Sequence, residues 1–217
     1  MLRGILIAVN LGFVLTGAVV IDRVAVVVGK RVVKTSDVDL NVRVSQFLNG
    51  EPLNLSEVEK RKVADRLVDQ QIIWQEMMNG GYSQPTDQDV NAYLQQLQRD
   101  RFNGSEAQLR SALAKYGLTE AQLRKYLLWQ LTVLRFIEQR FRPGVLVTDE
   151  DVRAYYEQHR GELQKAYPQN SSIEALDARI REIIVGERVN QAFEEWLQQT
   201  RARTRIEFRD AAFHEGA

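Results

Sequence analysis

His159 and His214 are the chain's two histidines, far apart in sequence and set among polar residues. They offer neither the clustered ligands of a metal site nor the partner that a serine nucleophile needs. No cysteine is present, which excludes disulfides, zinc ribbons and thiol nucleophiles. For carboxylate chemistry the chain has Asp149-Glu150-Asp151 to offer. That run opens a helix, where the dipole favours negative charge, so it reads as a cap. What remains is contact chemistry. Methionine and aromatic side chains adapt to many partners and suit a shallow surface that takes extended polypeptide. Trp74, Met77, Met78, Tyr93, Trp129 and Phe136 are the candidates. At helical spacing the same residues also serve a core, so burial competes with contact for each of them. No catalytic, cofactor or metal residue is expected.

The elements that must position these residues are legible from their ends. Small hydroxyls followed three residues on by an acid or amide occur at Ser36/Asp39, Ser56/Glu59, Thr86/Asp89 and Ser105/Gln108. The pattern recurs at Thr119/Gln122, Thr148/Asp151 and Ser171/Glu174. In each, the hydroxyl accepts an orphan amide proton and the later side chain reaches back. Stops follow at Gly50, Gly80-Gly81, Gly104, Gly117 and Pro143-Gly144. Between these marks the period is helical. Val63, Leu67, Ile72 and Trp74 share a face of 57–78, and Tyr93, Leu94 and Leu97 share one of 87–102. Leu123, Leu127, Leu131, Leu134, Ile137 and Phe141 line 120–141.

Before this block, Val24–Val28 and Arg31–Lys34 read as a tight hairpin, with Gly29 supplying a positive φ. Such a hairpin is barely stable alone and needs a neighbour. After the block, 147–158 reads as a short helix and 161–172 as a polar connector. A long helix follows from Ile173 to about Arg201, which Gly186 could bend. Thr204–Phe208 alternates like a strand and is a natural partner for the hairpin. The expected fold is mostly α, with a small β-hairpin joined by a C-terminal strand. The expected divisions are 1–18, 19–158, 159–172 and 173–217.

Lys+Arg 29 balances Asp+Glu 29, so the clustered basic excess of a nucleic-acid surface is missing. Arg201, Arg203 and Arg205 read as solvated and structural. Residues 1–18 have the shape of a secretory signal: Arg3, an apolar run, then Thr16-Gly17-Ala18. The competing reading is an uncleaved anchor, because the run to Ile21 approaches the length of a membrane span. Either way the body lies outside the cytoplasm, and a membrane contact is expected only if the segment stays.

Ile21–Gly29, Val32-Val33, Ser36–Asp39, Leu67–Ile73, Leu118–Phe141, Phe193–Ala202 and Ile206-Glu207, in that order, resemble the SurA family of periplasmic chaperones. The resemblance covers about 21–151 and 182–208. It implies an N-terminal helical chaperone core onto which the C-terminal segment folds back. The family commonly inserts parvulin-type prolyl-isomerase domains between the two. Here 161–172 holds a dozen residues, against the roughly 50 of an independent domain. The implied function is an ATP-independent holdase in the periplasm for unfolded, aromatic-rich outer-membrane chains, without enzyme activity. One alternative is a dedicated partner-binding or structural protein that dimerises by exchanging its long helix. The other, residual prolyl isomerisation, lacks a domain to hold the site.

Overall fold

In the computed structural model, residues 22–209 and Phe213 are described; the expected signal or anchor at 1–18 and His214 lie outside them. The chain is mostly α-helical with one small antiparallel sheet. Strands β1 (Val24–Val28) and β2 (Arg31–Lys34) form the hairpin, and Gly29 turns it at φ 58°. Strand β3 (Ile206–Phe208) pairs antiparallel with the other edge of β1, in the order β2-β1-β3. Val27 faces Val32 on one side and Glu207 on the other. The Gly29 N–H donates to the Arg205 carbonyl, and the Arg209 N–H to that of Ala25, both at 2.8 Å. The tail therefore supplies the neighbour that the hairpin needs. Ala25, Val26, Val28 and Val33 are buried, whereas Val24 and Val32 are exposed.

Helices α1 (Thr35–Asn49), α2 (Glu57–Gly80), α3 (Asp87–Phe102), α4 (Glu106–Lys115) and α5 (Glu120–Phe141) follow. After a short 3-10 turn come α6 (Asp149–Ala166) and α7 (Ile173–Arg203). Reciprocal boxes close α3, α5 and α6. The Thr86, Thr119 and Thr148 amides donate to Asp89, Gln122 and Asp151 at 2.7, 2.8 and 2.8 Å. Their hydroxyls accept in return. Ser105 caps α4 through the Gln108 N–H.

Three starts differ from the expected pairs. Helix α1 begins directly after β2, so Asp37 rather than Asp39 accepts from the Lys34 N–H at 3.1 Å. The Ser36 hydroxyl is drawn off to Asp22, donating at 2.5 Å. Ser56 precedes α2 without capping it; its own N–H is held by Asn54 at 3.0 Å. At α7 the cap is Ser172, one residue beyond Ser171, and it accepts from the Ala175 N–H.

Helix α6 also outruns its expected end by a full two turns. Gly161 inside it costs about 1 kcal/mol relative to alanine. Burial of Leu163 against α7 offsets that, so the helix persists to Ala166 and the connector shrinks to Tyr167–Ser172. Helix α7 runs without interruption through Gly186.

Three apolar clusters carry the packing. The inner face of the sheet and α2 form the first, with Phe136 of α5 and Leu197 of α7. The second joins α1, α3, α4 and α5 around Phe47, Leu109, Leu113 and Leu123. The third lies between α6 and the first half of α7. The second half of α7 lies on α2 and α5. Trp196 packs against Phe136 and Phe141 with ring centroids 5.5 and 5.9 Å apart. Arg201 holds Asp65 and Asp69 of α2 from the same side.

Two expected faces are shifted. Leu134 is 59% exposed, and α5 instead buries Leu123, Leu127, Thr132 and Phe136. Tyr93 is 46% exposed, and α3 buries Val90 and Leu94. A stripe wider than one row of residues leaves the outer row in solvent once its neighbour helix is seated.

Candidate peptide-binding groove

Leu40 of α1 and Tyr126 and Trp129 of α5 open onto one concave space of about 240 Å³, with Val44 and Leu67 buried beneath it. The space begins at Val33, on the strand edge that β1 does not cover. A second hollow of about 250 Å³ shares Asn41, Leu67, Gln70 and Tyr126 with it and adds Arg66 and Gln130. Together they make a groove along the α1–α2–α5 junction.

Its floor is apolar and its rim is amide. Asn41, Gln70, Gln71 and Gln122 surround the opening. Two of these are already engaged. Asn41 donates to the Asp37 carbonyl at 2.8 Å, and the Gln122 oxygen serves the cap at Thr119. Gln70 and Gln71 are half-buried and have no hydrogen-bond partner among the described residues. A carboxamide both donates and accepts and carries no charge, so it matches a peptide backbone regardless of the side chains attached. Burial pushes the Tyr126 phenol above its ordinary value, with Arg66 opposing, so it stays a neutral donor at pH 7.

The six candidate residues separate. Trp74 and Trp129 come together at the groove, ring centroids 6.0 Å apart, and Arg31 lies 5.8 Å over Trp74. Trp129 lines the cavity itself. Phe136 is fully buried under Trp196, and Met77 is buried beside it in the first cluster, so neither can meet a client. Met78 is 52% exposed at the C-terminal end of α2. Tyr93 lies on α3 at a separate small hollow with Leu97 and Arg101. The residues missed are Leu40, Val44 and Tyr126 and the four amides. Nothing in their spacing separates them from ordinary helix positions; the signal is the run Gln70-Gln71 beside an apolar stripe, which is weak.

The acidic run reads as expected. The Asp151 carboxylate closes the α6 cap and accepts from Arg188 at 2.6 Å. Asp149 pairs with Arg181. Among the described residues no His, Cys, Asp and Glu group could hold a metal ion, and no helix is long and apolar enough to cross a membrane. His159 stacks on Tyr155 with centroids 4.2 Å apart, at the surface of α6. Compared with known proteins, the chain matches no family model and no curated sequence.

Proposed function

We propose that this chain is a SurA-like periplasmic holdase that shields unfolded, aromatic-rich outer-membrane chains without ATP. The observation that carries the reading is the groove: Gln70 and Gln71, half-buried and without a hydrogen-bond partner among the described residues, beside the aromatic rings of Tyr126 and Trp129. An extended client places its backbone on the amides and its rings on the floor. Contacts of this kind are weak and tolerant of sequence, as a holdase requires. The order of parts supports the same reading, since the C-terminal helix and strand lie on the N-terminal elements. The periplasmic location rests on the character of residues 1–18. The role needs no cofactor, metal or catalytic residue.

The test is light scattering from a denatured outer-membrane β-barrel protein diluted into buffer. A several-fold molar excess of this chain, without nucleotide, should suppress the scattering and leave the isomerisation rate of a proline peptide unchanged. Unaltered scattering, or clear isomerisation, would overturn the proposal.

A further inference from the structure

Two carboxylates of helix α2 are committed to α7. Asp65 and Asp69 face α7 and are held there by Arg201, the latter at 2.5 Å. Arg66 lines the groove near the Tyr126 phenol and also borders a neighbouring hollow that it shares with Asp65. Arg66 is exposed and has no carboxylate partner among the described residues. Lys125, at the opening beside Tyr126 and Trp129, has none either. Arg31 adds a third positive charge at the Trp74 end. Against these, the one carboxylate among the described residues lining the groove is Asp37, which accepts from the Lys34 N–H at the start of α1. In a chain with equal numbers of acidic and basic residues, the described lining of this groove is positive on balance. A concave apolar wall strengthens such a field.

Building on the holdase reading, we infer that the groove selects extended polypeptide segments in which carboxylates flank aromatic side chains. The ring enters against Tyr126 and Trp129, and the neighbouring carboxylates meet Arg66 and Lys125. Segments with lysine or arginine beside the ring meet like charge and are rejected. The selectivity is electrostatic and close to the surface, so salt weakens it.

The test uses three unstructured fifteen-residue peptides that share two tyrosines and differ only in the flanking residues: glutamate, glutamine or lysine. Binding to the full chain is measured by calorimetry at low salt and again at 0.5 M salt. The glutamate peptide should bind about tenfold tighter than the lysine peptide at low salt, because several weak charge contacts change sign together. The gap should close at high salt. The double variant Arg66→Gln/Lys125→Gln should erase the gap, and Arg66→Glu/Lys125→Glu should reverse it. Equal affinities in the wild type would overturn the inference. Tighter lysine binding would too, since it would assign the site to cation–π contact with the tryptophans. Sedimentation showing a dimer that Trp129→Ala dissolves would give the groove to a second copy and likewise overturn it. If peptide binding shows no charge preference while aggregation is still suppressed, this selectivity alone falls. If suppression fails as well, the holdase reading falls with it.

Discussion

Trp129 and Phe136 stand seven residues apart on α5, about two helical turns and so nearly on one side. One lines the groove and the other is sealed under Trp196. Periodicity fixes which way a side chain faces; it says nothing of what later arrives to cover it. For that reason helical spacing could place these two aromatics on one side of α5 without showing which would be covered. Phe136→Ala should cost about 3–5 kcal/mol of unfolding free energy, as large core truncations do. Trp129→Ala should cost clearly less and weaken client binding instead. Urea unfolding of the two variants, beside peptide titration, separates the roles. Asp151 offers a second residue-scale check. Its carboxyl is held well below the ordinary range, first by Arg188, then by the amide and hydroxyl of Thr148. A depressed folded-state value adds stability above the unfolded value near 4, and that stability is lost as pH falls through the folded value. Asp151→Asn should therefore unfold at lower urea than wild type at pH 7. The two midpoints should begin to draw together only below pH 4 and keep converging as the pH falls further; a gap that stays constant from pH 4 downward would contradict the pairing.

Helices were most legible where a threonine met an acid or amide three residues on, as at Thr86, Thr119 and Thr148. The pattern failed where another group competed for the hydroxyl, as Asp22 does for Ser36. It slipped by one residue where two serines stood together, at Ser171 and Ser172. The extent of α6 was hidden because Gly161 mimics a stop, and only the docking of Leu163 on α7 overrides it. A Cβ added at Gly161 or at Gly186 would meet nothing within 4 Å. Gly161→Ala and Gly186→Ala should each stabilise the protein by about 0.5–1 kcal/mol. Gly81 at the end of α2, with φ 65°, should lose stability under the same change. Denaturant midpoints of the three variants decide the matter, and a loss at Gly161 or Gly186 would show that those helices are bent there.

At the scale of the whole molecule, the first and last strands of the described residues meet in one sheet, and α7 ties α6 to the helices before it. This closure was readable from the alternation of Ile206-Glu207-Phe208 and from the exposed need of a lone hairpin. The groove was not readable, because it is made by three helices whose separate surfaces are unexceptional. Two of its walls, α2 and α5, are the helices on which α7 rests. The most direct test places a photo-reactive phenylalanine analogue at Gln71, in the rim, or at Glu157, on the exposed side of α6. Each protein is illuminated with an unfolded outer-membrane β-barrel client. Adducts are expected from position 71, reduced by excess competing peptide, and none above background from position 157. Adducts from 157 alone, or equal yields from both, would contradict a groove that receives the client.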